Sequence, residues 1–356
     1  MSEKKKNIAL TGGSTWGHVF PLLSLYNYFS QEDKYNFFWV AEADSLEEHI
    51  ADENSIEFFD IPCGKIRRYF DWRNFYEPLK NLSGIVFGIY FILSKNIDIV
   101  FSKGWYVSLP LCIAAYILRK PIYIHESDAV WGVANKLISR IATKTFYSFE
   151  NAKTQKDDEK TSDERTHIFS GQILNPDLLE YITTLEVKEN DKLEVLVIAG
   201  SQWSTRLFES VLQSLPDMWD INFTVVLWEK NLHFKQDFQR FFNVTVHDFV
   251  DQKTLWKIYK KSDIAVTRAG ATTLWELYNF WVHSIIVPLP ESAGNHQEKN
   301  AQYFENKFGS NILDENNNLS LEIFRLLQKY KALRKSGVNL NDFFKSLKKI
   351  ETHFDK

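Results

Sequence analysis

Residues 262–301, SDIAVTRAGATTLWELYNFWVHSIIVPLPESAGNHQEKNA, leave this chain few folds to choose from. Ile264, Ala265 and Val266 form an unbroken apolar run, as suits a strand covered on both faces of a parallel sheet. Small and hydroxyl residues follow from Arg268 to Thr273 at a helix start, residues 284–290 make a second apolar strand, and a polar loop opens another helix. Strand, turn, helix, strand is the crossover that parallel strands require. Such a turn aims backbone N–H groups and the positive end of a helix at an anion, typically a phosphate. Glu276 lies about one turn into the helix, where its carboxylate can reach paired sugar hydroxyls. Asn295, His296, Gln297 and Asn300 add neutral hydrogen-bonding groups. Anion cradle, diol acceptor and polar amides together describe a nucleotide-sugar site.

The same unit opens each half of the chain. Residues 7–10 read as a strand, the turn from Thr11 to His18 carries Gly12, Gly13 and Gly17, and a helix over 19–29 has Pro21 in its first turn. Strands follow at 37–40, 56–61, 97–102, 122–124 and 146–149, the last of the first half. His125, Glu126 and Asp128 stand at a strand's carboxyl end, where open α/β sheets bind ligands, although His125 and Glu126 could equally cap the next helix. The second half restarts with a strand at 195–198, the turn Gly200, Ser201, Gln202, Trp203, a helix to Leu215, and strands at 225–227 and 244–246. Residues 151–166 are charged and aperiodic, hence an exposed loop, and 171–176 read as a hinge. After Ala301 the chain reads as mostly helical, ending in a helix over 340–354. The expected boundaries are 1–165 for a first domain, 166–335 for a second, and 336–356 for a terminal helix returning to the first; 356 residues suffice for two cores.

Composition excludes several classes. A formal charge of −4 gives no argument for nucleic acid. Cys63 and Cys112 lie far apart in no metal spacing, which favours a reduced, cytosolic setting. No apolar run is long enough to span a bilayer, and the start of the chain does not read as a signal peptide. In residues 63–76, Lys65, Arg67, Arg68 and Arg73 alternate with Tyr69, Phe70, Trp72, Phe75 and Tyr76, a mixture that suits an anionic lipid surface or an ordinary loop. The apolar segment 85–93 behind it is too short to cross a membrane and reads as a buried helix or part of that surface.

The turn TGGSTWGHVFP, the stretch RAGATTLWEL and the run NHQEKNA together resemble the MurG-type glycosyltransferases, which add N-acetylglucosamine from UDP-N-acetylglucosamine to a lipid-linked muramyl acceptor. The resemblance covers most of the chain and is weakest at 151–170 and after 310. It implies an α/β chain of the GT-B class, two doubly wound, Rossmann-like parallel-sheet domains facing across a cleft, with the acceptor and membrane on the first and the donor on the second. It implies inverting transfer, no cofactor, no metal, and peripheral attachment to the cytoplasmic face of the cell membrane; the absence of any Asp-x-Asp agrees with the metal-free reading. Carried over residue by residue, Val250 faces uracil, Glu276 the ribose, and Ser201, Arg268 and the amides of Ala271, Thr272 and Thr273 the diphosphate. His296, Gln297 and Asn300 face the sugar. Leu274 and Trp275 belong to the same donor-binding signature, and Thr15, Trp16, Gly17, Asp128 and Asn135 complete the substrate-binding set. His18 is the expected base, with His125 or Glu126 as alternatives. The chain departs from the family in carrying Asp128 for asparagine, and GQILNPD at the hinge where the family has an arginine near the donor phosphates. A sugar-nucleotide epimerase, another lipid glycosyltransferase and a non-catalytic UDP-sugar-binding protein remain alternatives of the same architecture.

Trp16, Trp105, Trp203 and Trp281 stand where the family pattern has glycine, and Trp228 and Trp256 are less securely aligned cases. The chain has 14 Gly beside 11 Trp, when about 7% glycine is ordinary usage. The pattern is that of glycine codons read as tryptophan through a different genetic code, the alternative being a diverged homologue. Trp39, Trp72 and Trp275 occupy no such seat.

Overall fold

The computed structural model describes residues 4–13, 16–65, 72, 77–150, 166–178, 192–200, 204–331 and 345–354. The chain divides into two compact units, one of residues 1–176 with 344–356, the other of residues 177–343.

In the first unit β1 (Lys6–Thr11), α1 (Trp16–Phe29), β2 (Tyr35–Ala41), α2 (Leu46–Glu53), β3 (Glu57–Asp60), α3 (Glu77–Ser94), β4 (Ile99–Ser102), α4 (Ser108–Ile117), β5 (Ile122–Glu126), α5 (Val133–Ser139), β6 (Lys144–Tyr147) and β7 (His167–Phe169) follow in order. All seven strands are parallel, in the order β3-β2-β1-β4-β5-β6-β7. The order in which strands are added reverses across the β1–β4 pair, where Ile8 registers with Ile99 and Thr11 with Ser102. Open parallel sheets take ligands beyond the carboxyl ends of such a pair. β7 was not legible in the sequence: it is three residues long and follows the charged stretch 151–165, which lies outside the described residues. Helix α1 begins at Trp16, earlier than expected, so Pro21 falls in its second turn and denies the Gly17 carbonyl a helical partner.

The second unit runs β8 (Glu194–Ile198), α6 (Thr205–Ser214), β9 (Asn222–Leu227), α7 (Lys235–Gln239), β10 (Val244–Asp248), α8 (Gln252–Lys261), β11 (Ile264–Thr267), α9 (Ala271–Asn279), β12 (His283–Ile286), α10 (His296–Phe308), β13 (Asn311–Ile312) and α11 (Leu319–Lys329). Its parallel sheet has the order β10-β9-β8-β11-β12-β13, with the switch at β8–β11. The two-residue β13 also escaped the sequence reading. The continuous apolar runs are buried on both faces, with Val195, Val197, Val225, Ile264, Val266 and Ile285 on one and Leu196, Val226, Ala265 and Ile286 on the other.

The last helix, α12 (Lys345–Phe354), belongs to the first unit. Phe354 is fully buried among Phe29, Tyr35, Phe101 and Tyr123. Lys6 Nζ donates to the Phe354 carbonyl at 2.6 Å, and Lys349 Nζ to that of Phe169 at 2.6 Å. The chain end thus staples strands from both sides of the first sheet.

Among the described residues, which do not include Trp203, two tryptophans sit in left-handed backbone, Trp105 at φ 70° and Trp281 at φ 56°. Trp281 follows α9: its N–H donates to the Tyr278 carbonyl at 3.0 Å and that of Val282 to Leu277 at 2.9 Å, a pair of bonds that ends helices on a glycine. Trp256, by contrast, is 1% exposed in right-handed helix α8. Replacing Trp281 by Gly is therefore expected to raise unfolding stability by about 1 kcal/mol through relief of the left-handed strain. Trp256→Ala should cost about 3–5 kcal/mol by leaving a core cavity. Urea unfolding of both variants checks the pair.

Candidate active site

Each unit places a glycine turn at its switch point. In the first, Gly12 (φ 132°) and Gly13 follow β1. A Cβ on Gly13 would lie 1.4 Å from the Glu47 carboxylate, and one on Gly12 would lie 2.9 Å from Lys103 Cβ. At Gly12, with its positive φ and the Lys103 backbone beside it, only glycine fits without strain. Thr15 lies outside the described residues, and Trp16 and Gly17 begin α1. His18, in the first turn of α1, is half-buried, with its ring 5.6 Å from that of Trp105.

The residues after β5 are arranged differently from what their sequence positions suggest. His125 is fully buried and Glu126 is 5% exposed. His125 Nε2 lies 3.0 Å from the Gly171 carbonyl, so it carries the hydrogen, and Nδ1 then accepts from Lys103 Nζ at 2.7 Å. Burial, and next the Lys103 charge, hold this imidazole well below its ordinary pKa. Both ring nitrogens are engaged, which leaves no lone pair for an incoming hydroxyl. The Glu126 carboxylate accepts from the N–H of Asp128 at 3.0 Å, that of Gly132 at 3.2 Å and Asn135 Nδ2 at 2.9 Å. It ties down the loop entering α5, while burial and then Asp128 raise its pKa. Asp128 is half-buried and Asn135 buried. Sequence reasoning passed over Lys103; the available signal was a charged residue directly after an apolar strand.

In the second unit Ser201 lies outside the described residues, but Ser204 Oγ braces the same turn through the Gly200 carbonyl at 2.7 Å. The RAG turn follows β11. Gly270 is the N-cap of α9 and has no side chain with which to cap the N–H groups of Ala271, Thr272 and Thr273. Arg268 is 4% exposed. Its Nη1 lies 2.6 Å from Glu315 Oε2 and donates to the Val287 carbonyl at 3.1 Å. Glu315 also takes Arg206 at 2.8 Å, and Arg206 grips Glu291 at 2.7 and 2.8 Å. Glu315 comes from the polar stretch DENNN, where nothing in the sequence marks it out. Arg268 thus joins the loops after β11, β12 and β13.

Asn300 is fully buried and donates to the Ala269 carbonyl at 3.0 Å, bracing the RAG turn from α10. Gln297 Oε1 accepts from the Leu289 N–H at 3.0 Å, and His296 Nδ1 lies 2.9 Å from the Ala293 carbonyl. His296 and Gln297 are half-buried at the start of α10. Leu274 is fully buried and Trp275 nearly so, the latter packed against Tyr278, Tyr303, Phe304 and Phe308. Val250, 9% exposed, follows Phe249, whose φ of 23° turns the loop after β10.

Glu276 is 6% exposed and accepts from the Tyr259 hydroxyl at 3.2 Å. Burial pushes its carboxyl up to about 7, against the opposing hydrogen bonds. In the unfolded chain the group ionises near 4.5, so the folded state holds more protons between those values. Stability should therefore fall as pH rises through that window, by about 1.4 kcal/mol per pH unit at most. Thermal melts against pH should show the slope in the parent chain, and Glu276→Gln should flatten it.

Residues 8–147 match the glycosyltransferase family 28 N-terminal domain and residues 194–349 the family's C-terminal domain. The chain is 31% identical over 355 residues, 96% of its length and 95% of the relative's, to the UDP-N-acetylglucosamine–N-acetylmuramyl-(pentapeptide) pyrophosphoryl-undecaprenol N-acetylglucosamine transferase of Clostridium botulinum. It is 29% identical to the Borreliella afzelii protein of that name, over 97% and 93% of the two lengths. The fold is that of MurG from Acinetobacter baumannii, with a TM-score of 0.71 at 21% identity over 98% and 95% of the chains. UDP-GlcNAc 2-epimerase from Neisseria meningitidis shares it, with a TM-score of 0.67 at 11% identity over 99% and 100%. With two parallel-sheet units, a glycine turn at each switch point and near-complete alignment to named transferases, the chain belongs to glycosyltransferase family 28 and has the GT-B fold.

Proposed function

We propose that this protein transfers N-acetylglucosamine from UDP-N-acetylglucosamine to the C4 hydroxyl of an undecaprenyl-pyrophosphoryl muramyl-peptide, a step in building peptidoglycan precursor. The observation that carries the reading is the 31% identity to transferases of that name along 96% of the chain. The geometry supports it with a helix N-terminus that begins on a glycine, suited to a diphosphate, and a buried carboxyl, Glu276, on the same helix for the ribose diol.

In the second unit the amides of Ala271, Thr272 and Thr273 receive the diphosphate, Val250 the uracil edge, and His296 and Gln297 the sugar hydroxyls. Ser201 would join the phosphate contacts, while Asn300 and Arg268 hold the turn in place. In the first unit His18 is the base, at the start of α1, and Glu126, Asp128 and Asn135 shape the loop that receives the acceptor. The C4 oxygen bonds to the anomeric carbon as the bond to UDP breaks. The hydroxyl proton passes to His18, and the electron pair leaves with the diphosphate, whose growing charge the helix N-terminus stabilises. One direct displacement inverts the anomeric centre.

The acceptor is a membrane lipid, and α3 offers a surface for one. Gly84, Gly88, Phe91 and Ile92 pack it against the unit. Its other side exposes Leu79, Leu82, Val86, Phe87, Tyr90 and Leu93, a continuous apolar stripe on the outside of the protein. Tyr116 and Ile117 of α4 and Val133 and Leu137 of α5 are also exposed, with Arg119, Lys136 and Arg140 on the same two elements and their ends. Trp72 is 69% exposed, whereas Arg67 and Arg68 lie outside the described residues. No described helix is long and apolar enough to cross a membrane. Peripheral docking on the cytoplasmic, anionic face follows from this reading.

Release of UDP should require the lipid acceptor, and His18→Ala should lower kcat roughly 10²-fold or more while leaving donor affinity unchanged. UDP-GlcNAc turnover without acceptor would favour an epimerase, and binding without turnover a non-catalytic protein. Sedimentation with vesicles containing anionic lipid should weaken in a Leu82→Glu, Val86→Glu, Tyr90→Glu variant; unchanged binding would remove α3 from the membrane face.

A further inference from the structure

Lys103 is a buried cation that the transfer reaction as described leaves unused. It directly follows β4, beside the switch point, and is 1% exposed. Its backbone N–H donates to the Thr11 carbonyl at 2.9 Å, and its Cβ abuts Gly12. Its ammonium reaches His125 Nδ1 at 2.7 Å and Ser127 Oγ at 2.5 Å. One residue therefore joins the ends of β1, β4 and β5. An ammonium has three hydrogens, and the structure gives this one two acceptors. Nearby, the Thr11 hydroxyl and Asn135 Oδ1 are buried without partners.

We propose that Lys103 is a positioning residue of the acceptor half, one whose charge fixes the His125 tautomer and locks the Gly12–Gly13 turn and the loop after β5 in the geometry that receives the acceptor. This rests on the transferase reading above. The charged groups facing it are Glu126 and Asp128, with neutral His125 beside them and Glu47 across the Gly13 turn. Burial lowers the ammonium to about 8 against the pull of both carboxylates, so the lock opens as pH rises past that value.

Lys103→Met keeps the aliphatic stem and removes the charge; Lys103→Gln is the second variant should the first fail to fold. Each is compared with the parent chain for transfer kinetics, UDP affinity and the imidazole nitrogen signals of His125. The expected result is an acceptor KM raised about tenfold or more, unchanged UDP affinity, loss of the alkaline limb near pH 8 and a His125 that protonates more readily. An active parent with unaltered acceptor KM and pH profile in both variants would overturn the proposal. An inactive parent would instead remove the transferase reading on which it rests.

A separate observation concerns the left-handed tryptophans. Among the described residues only Trp105 and Trp281 of all the tryptophans have positive φ, and they belong to a chain with almost as many Trp as Gly. We infer that these two positions carry glycine in the protein as its own cells make it. Mass spectrometry of the protein from those cells should find peptides spanning 105 and 281 lighter by the difference between an indolylmethyl group and hydrogen, and peptides spanning Trp39 and Trp275 unchanged. Tryptophan at both 105 and 281 would overturn the inference.

Discussion

Parallel pairing at two switch points, β1 with β4 and β8 with β11, is the constraint on which the site depends. It sends the flanking connections to opposite faces of each sheet and leaves the ends of the central strands uncovered. The chain fills those ends with glycine turns: Gly12 close against the Lys103 backbone, Gly13 against the Glu47 side chain, and Gly270 as the N-cap of α9. At the start of α9 the N-cap residue, Gly270, brings no side chain of its own to the first helical N–H groups.

Buried charge makes these turns stiff. Arg268 and Glu315 neutralise each other within reach of the loops after β11, β12 and β13. Lys103 is balanced by Glu126 and Asp128 and tied to His125. Such groups add little net stability, because desolvation offsets the attraction. Removing one partner strands the other in an apolar setting, which fixes the loops in one arrangement. Arg268, Glu315 and Lys103 thus lie within the scaffold and brace the turns from beneath.

That division explains what the sequence could reveal. Strands such as 264–267 are apolar on both faces and stand out, as do the glycine turns that follow them. The strands at 167–169 and 311–312 are too short to show a pattern. Side-chain roles were legible by residue type but not by direction: His125, Asn300 and Arg268 occupy site positions in the sequence, yet each points into the scaffold. Glu315, far along the chain in a polar run, had no local signal at all. Helix α3 looked uniformly apolar, and only the packing of Gly84 and Gly88 showed which face is covered.

The most direct measurement is the anomeric configuration of the bond formed when the protein is given UDP-N-acetylglucosamine and an undecaprenyl-pyrophosphoryl muramyl-pentapeptide. Direct displacement by an oxygen deprotonated at His18 predicts a β-linked disaccharide lipid from the α-linked donor, with one UDP released for each bond. An α-linked product, or UDP released with no new glycosidic bond, would contradict it.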